Sequence, residues 1–432
     1  MMVQKLKLFS TLTKNQREAV GLLQIGTFLE YFDVMLYVHL AVLLNELFFP
    51  KTDPKTAALL SAFAFCSTYV LRPFGALFFG YIGDNLGRKT AIILSTSLMA
   101  VACFFMSILP TYAEIGIFAS IAMITCRVIQ GFSATGEVIG AEIYLSELLK
   151  PPASYQLVSW IVELCTLGSF ASLLAASLIF KCNASWRTVF ILGGMIALSG
   201  AVARRKLRET PDFLNNQLAR NRNKGENEVS VISKATSFAY FLIYSGYPLC
   251  FYIIYIYCAD ILKHSFNYSP KQVIDHNLLI TLLSFVIGIS IIFMVRRVNP
   301  LKIVKIRGYL STFTLLLVPL LPITSSLHAL IAMQVLLSFF ALGTIPAIPI
   351  FFKYFPVHKR FTYSSILYAV SRAIMYVFTS FGLVYLTDLL GVYGLSLVAV
   401  PVGIGFLWGV KHFEKLEEAQ YIEEKFRLSL AA

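Results

Sequence analysis

Apolar runs of close to 20 residues, separated by short polar turns, recur about a dozen times along the 432-residue chain, and no other feature restricts its fold as strongly. A helix needs roughly 20 apolar residues to cross a bilayer core. The expectation is therefore an all-α membrane protein with twelve transmembrane helices. Composition points the same way: with 57% apolar, 14% aromatic and 14% charged residues, the chain lacks the polar surface to face water on all sides.

The net charge of +13 could suggest nucleic acid, but no nucleic-acid motif accompanies the basic residues. If the N-terminus is cytoplasmic, inside segments hold Lys5, Lys7, Lys14, Arg17, Arg88, Lys89, Lys150, the cluster Arg204 to Arg208, Arg296, Arg297, Lys302, Lys305, Arg307, Lys353, Lys359 and Arg360. Outside turns hold only Lys51, Lys55, Lys181, Arg187, Lys263 and Lys271. This positive-inside bias predicts a multi-pass protein of the cell (inner) membrane with both termini cytoplasmic. Six of the seven cysteines fall within apolar runs and read as small packing groups. Neither metal nor cofactor is expected, because no cysteine pair has zinc-binding spacing. The first run is too long for a cleavable signal peptide. Asn183-Ala184-Ser185, in an outer turn, fits a short glycosylation pattern.

Charged groups inside the runs are the candidate functional residues, since each is costly in lipid unless it faces protein or water. In the first span, about Ala19 to Leu44, Glu30, Asp33 and Tyr37 recur at intervals of three and four and share one helical stripe. Arg72 lies in the second span, about Thr56 to Gly80. The fourth, about Ile115 to Glu147, carries Arg127, Gln130 and Glu137 on one face, with Gly136 and Gly140 forming a small-xxx-small step. The fifth, Tyr155 to Phe180, holds Glu163, for which pairing with Arg127 ranks ahead of proton carrying. The sixth runs from about Thr188 to Val202. After a polar stretch, the seventh, about Phe238 to Leu262, is rich in tyrosine and expected to break near Gly246 and Pro248. Tyr244 and Tyr247 are its candidate solute contacts. The eighth ends near Val295, the ninth spans about Tyr309 to Thr324, and the tenth, about His328 to Phe352, has Pro346 and Pro349 as a bend or break. Arg372 lies in the eleventh, and the twelfth is expected to end near Val410.

Between the second and third spans stands FGALFFGYIGDNLGRKTAI, in which Gly80, Gly83, Asp84, Gly87, Arg88 and Lys89 punctuate a tight reversal. This pattern resembles the loop signature of the major facilitator superfamily of secondary transporters. FLEYFDVMLYVHLAVLLNELFFPKTDP, LRPFGALFFG, CRVIQGFSATGEVIGAEIYLSE and LRETPDF together resemble its metabolite:proton symporter branch, whose members carry proline and betaine, shikimate, 2-oxoglutarate and other small carboxylated solutes. The motif match covers about residues 28 to 213. In the second half the corresponding loop, RRVNPLKIVKIR, keeps a basic pair but lacks the aspartate and glycines. The resemblance implies two six-helix bundles: residues 1–202, a cytoplasmic linker 203–237 whose basic residues meet anionic headgroups, a second bundle 238–410 and a cytoplasmic tail 411–432. It also implies that Asp84 clasps the N-terminus of the eleventh span as part of an inner gate, braced by Arg88 and Lys89, with Gly80 and Gly87 permitting close approach.

The reading is a proton-coupled symporter of a small carboxylate or zwitterion, working as a monomer by alternating access. Glu30, Asp33, Glu137 and Glu163 are the proton-coupling candidates. Arg72, Arg127, Gln130, Tyr37, Tyr244, Tyr247 and Arg372 are the solute-binding candidates. Uniport, exchange and a non-transporting sensor are the alternatives. An embedded enzyme is disfavoured because the six histidines are scattered, with no metal spacing or nucleophile motif.

Overall fold

The computed structural model describes residues 12–50, 68–182, 185–222, 232–320 and 326–431. The first part of the second apolar run, with Cys66, and most of the Asn183 pattern lie outside them. Helix α1, Lys14–Phe48, starts at a capping box in which Thr13 and Gln16 each accept the other's backbone N–H. It is followed by α2 (Arg72–Asn85), α3 (Arg88–Ile108), α4 (Ile117–Leu148), α5 (Ala153–Cys182) and α6 (Trp186–Arg204). A linker helix, Pro211–Arg222, leads to the second set. That set comprises α7 (Lys234–Phe251), α8 (Pro270–Met294), α9 (Pro300–Leu317), α10 (Leu327–Phe340), α11 (Arg360–Val377) and α12 (Gly394–Ala431). Among the described residues, ten helices are long and apolar enough to cross a bilayer, and α10 is a shorter apolar one.

Large apolar side chains cover the outside. Phe74 is 60% exposed and Phe118 70%. In water each such ring would forfeit roughly 1.5–3 kcal/mol of burial, whereas among acyl chains it costs nothing. The helices α1 to α6 pack on one another through α1 against α5 and α3 against α4 and α6. In the second set α12 packs on α7 and α9, and α10 packs on α8 and α9. The main seams between the sets are α2 against α11 and α5 against α8, with α4 also meeting α11 and the short helix Ile348–Lys353 meeting α4 and α5. Gly75 and Gly131 bring backbones together inside the first set, a Cβ at either falling 2.1–2.2 Å from the carbonyl oxygen of Phe132 or Thr68.

Several boundaries differ from expectation, each for a local reason. Helix α9 begins at Pro300, nine positions before Tyr309, because Asn299 caps it and proline fits the first helical turn. Its early turns therefore include LKIVKIR, so Arg307 is buried within the helix. Helix α6 continues to Arg204, which is fully buried and belongs to the helix rather than to the basic linker. Helix α7 passes through Gly246 and Pro248 unbroken and instead widens into a π-helical turn at Tyr252–Tyr257 before resuming as Cys258–Ser265. Helix α10 does break: it stops at Phe340 and resumes as Ile348–Lys353. Helix α12 runs on past Val410 to Ala431, its extension held by Lys305–Glu414 and Lys353–Glu417, both 2.7 Å.

Candidate functional site

The three- and four-residue spacing on α1 buries Glu30, Asp33 and Tyr37 together, each no more than 3% exposed. Opposite them stand Thr96 on α3, Glu137 on α4 and Arg204 on α6. A small cavity lies between, lined by Gly26, Glu30, Asp33, Thr96, Glu137 and Gly200. Arg204 Nη1 donates to Glu137 Oε1 and to the Thr96 hydroxyl, which itself donates to Glu137 Oε2 at 3.0 Å. Two glycines make these placements possible: a Cβ on Gly26 would fall 1.3 Å from Arg204 Nη2, and one on Gly193 2.1 Å from Asp33 Oδ1. Glu30 Oε2 and Asp33 Oδ2 have no hydrogen-bond partner among the described residues. Glu30 is within electrostatic reach of Arg72, Arg204, Glu137 and Asp33.

Arg127 stacks on the Tyr37 ring, 4.0 Å from its centroid, and donates to Gln130 Oε1 at 2.8 Å. It does not pair with Glu163. Glu163 projects from the face of α5 that meets α8, where the missing side chain of Gly288 leaves room for its carboxylate.

A second group lies where α2 and α4 meet α7 and α11. Arg372 stacks on Tyr368 at 4.8 Å and Tyr247 at 5.0 Å, and Arg72 on Tyr69 at 4.4 Å. Tyr69 and Tyr376 bridge the two sets with ring centroids 4.0 Å apart. Tyr244 meets Tyr240 at 4.5 Å and Tyr368 at 5.3 Å. Arg72 Nε, Arg372 Nε and Glu142 Oε2 have no hydrogen-bond partners among the described residues. Arg372 and Tyr244 are both within electrostatic reach of Glu142.

The α2–α3 loop forms a third group. Asp84 Oδ1 and Oδ2 accept the Phe361 and Thr362 backbone N–H groups at 3.1 and 2.9 Å, at the first turn of α11. That turn offers free donors and positive dipole to an anion. Gly80 and Gly83 allow the approach, since a Cβ would sit 2.7 Å from Thr362 Cα or 2.4 Å from the Phe361 ring. Arg88 donates to Asp84 Oδ1 at 3.2 Å, to both oxygens of Glu147 and to the Val357 carbonyl at 2.6 Å. Arg360 joins Glu147 at 3.0 Å, and Thr210 donates to the same carboxylate at 2.6 Å. Glu209 accepts the backbone N–H groups of Arg88 and Lys89 at 3.0 and 3.2 Å, so Lys89 enters through its main chain. Burial raises the pKa of Glu209, and N–H donors from Thr210, Lys89 and Arg88 oppose that shift. Gly87, at φ 114°, is required twice: its backbone is left-handed, and a Cβ would meet Glu209 Oε2 at 2.2 Å.

The family of sugar (and other) transporters matches residues 21–237, just over half of the chain. The chain belongs to that family. This transporter-family member is an integral, multi-pass membrane protein with the major facilitator fold. It is 28% identical over 291 residues to the proline/betaine transporter of Escherichia coli K12, covering 63% of this chain and 57% of that protein. The chain thus matches under two thirds of that relative's length. The Salmonella typhimurium proline/betaine transporter is 27% identical over 377 residues, covering 80% of this chain and 73% of that one. Among solved structures, the proton:xylose symporter XylE superposes with a TM-score of 0.77 at 13% identity, covering 93% of this chain and 95% of the other. The human organic anion transporter MFSD10 gives 0.70 at 19%, covering 93% and 100%. At those identities the structures speak for the fold alone.

Sequence reading of this transporter-family member missed Arg204, Glu147, Glu209, Arg360 and Arg307 as parts of buried networks. Arg204 carried a readable signal: Gly193, Ala197, Gly200 and Arg204 recur at four, three and four, a small-residue stripe ending in a charge. For Glu147 and Arg360 no local signal exists, because their partners lie far away along the chain.

Proposed function

We propose that this protein is a proton-coupled symporter of a small zwitterion or carboxylate that works by alternating access. The observation that carries the reading is the pair of buried, unpartnered carboxyl oxygens, Glu30 Oε2 and Asp33 Oδ2, close to an arginine- and tyrosine-lined seam between the two helix sets. A carboxyl that costs free energy to bury charged, yet adjoins arginines, can take up a proton from one side and release it to the other. In this account Glu30 and Asp33 carry the proton, and Glu137 answers them through Arg204. Arg127 and Gln130 hold Tyr37 against the same stripe.

Arg72 and Arg372 take the solute carboxylate, while Tyr244, Tyr247 and Glu142 face its cationic end. The names of the relatives, proline/betaine transporters, favour a zwitterion over a sugar. Asp84, Arg88, Lys89, Gly80 and Gly87 form the inner gate, closed here by the contacts of Asp84 with α11. The basic segments at that end favour its being cytoplasmic, with both termini on the same side.

The test is uptake of labelled proline and glycine betaine by the full chain in proteoliposomes with an alkaline interior. Accumulation above equilibrium that vanishes when a protonophore collapses the gradient is the expected result. Accumulation that survives collapse overturns proton coupling, and equilibration without accumulation would leave uniport or exchange.

A further inference from the structure

The α5/α8 seam carries a charged group, a proton-coupling candidate by sequence, that the proposed transport function does not use. Glu163 is 4% exposed, and its Oε2 has no hydrogen-bond partner among the described residues. A Cβ on Gly288 would lie 2.0 Å from its Cδ, Oε1 and Oε2 alike, so the carboxylate occupies the space where any other residue would place its side chain. Seven residues earlier on the same helix, Gln156 Nε2 donates to the Ile292 carbonyl of α8 at 3.4 Å, which fixes the antiparallel register of the seam. Arg307 on α9 is the cation within electrostatic reach of Glu163. Its guanidinium is anchored at the α10 break, donating to the Phe339 carbonyl at 3.2 Å and the Ile345 carbonyl at 3.0 Å.

We propose that Glu163 and the glycine notch at Gly288 form a plug and socket across the α5/α8 seam, a second latch between the helix sets that works together with the Asp84 clasp on α11. The latch is steric first. Rocking of one helix set against the other has to separate α5 from α8 on one side of the membrane, and the plug seats only when the two helices are in close contact. With no donor on Oε2 among the described residues, that oxygen has no hydrogen bond to lose on leaving, so the plug can withdraw as the seam opens. Arg307, held in place by the α10 carbonyls, keeps an attractive charge beside the seam for its return. Glu163 is therefore a positioning residue, and it needs no contact with solute.

The inference rests on the alternating-access reading, and its test separates the two. The variants are Gly288→Ala, Glu163→Ala and the double variant, each in the full chain in proteoliposomes, with Gln156→Cys added to report access of a hydrophilic maleimide to the seam. Gly288→Ala should overpack the socket, lower uptake about tenfold and raise labelling at position 156. Glu163→Ala/Gly288→Ala should bring labelling back to the parent level and uptake back to that of Glu163→Ala alone, because the alanine methyl then fills the space the carboxylate left. A double variant that stays as impaired and as reactive as Gly288→Ala overturns the latch. Labelling that follows this pattern while no variant, nor the parent, carries proline or betaine sustains the latch and sinks the solute assignment instead.

Discussion

Both carboxylate oxygens of Asp84 are engaged by successive backbone N–H groups of α11, and Arg88 is the cation beside them. Asp84→Asn replaces one acceptor by a donor and removes the charge that the helix end attracts, an interaction worth up to about 2 kcal/mol when partly buried. Uptake should fall at least about tenfold while the detergent-solubilised protein keeps its elution profile; parental uptake would refute the clasp. A different outcome is expected at Glu137→Gln. That change leaves Arg204 buried without its counter-charge, which costs about 3–5 kcal/mol, so thermal unfolding should shift down by several degrees. The stripe of Glu30, Asp33 and Tyr37 was legible because helical spacing alone brings them to one face. Arg204 was passed over in spite of the small-residue stripe that leads to it, because it opens the run RRKLR and reads as linker until the length of α6 is known.

Helices were legible as runs, and most ends fell within a few residues of expectation, because lipid sets their length more tightly than sequence sets their caps. The exceptions lie where polar residues join a helix. LKIVKIR looked like loop and is the opening of α9, and the charged tail KHFEKLEEAQYIEEKF continues α12. That extension is held by Lys305–Glu414 and Lys353–Glu417, pairs open to solvent and worth at most about 1 kcal/mol each. Phe413, fully buried against Phe351 and Tyr354, holds the start of the extension as well. Deleting residues after 420, which spares Phe413 and both pairs, should therefore shift the unfolding temperature by no more than about a few degrees; a larger loss would show that the exposed last turns carry stability of their own.

At the scale of the whole molecule, two main seams join the helix sets, and each relies on glycine to admit a group from the other side. A Cβ on Gly80 would lie 2.7 Å from Thr362 Cα, so Gly80→Val should hold the loop end of the α2/α11 seam apart. The expected readout is higher maleimide labelling of a Thr362→Cys variant together with lower uptake; unchanged labelling would mean that the seam closes by other contacts. The resemblance in the sequence reached the fold and the α2–α3 loop, since both are written in contiguous residues. It could not reach contacts such as Arg360–Glu147, 213 positions apart, which exist only once the chain is assembled.

The break in α10 has a consequence for ions. Its freed Phe339 and Ile345 carbonyls are the kind of oxygen that sodium could borrow in place of its hydration water, and Arg307 already holds them both. A metal cation approaching that unwound turn would meet the fixed positive charge of Arg307, which makes the break a poorer seat for sodium than its open carbonyls alone would be.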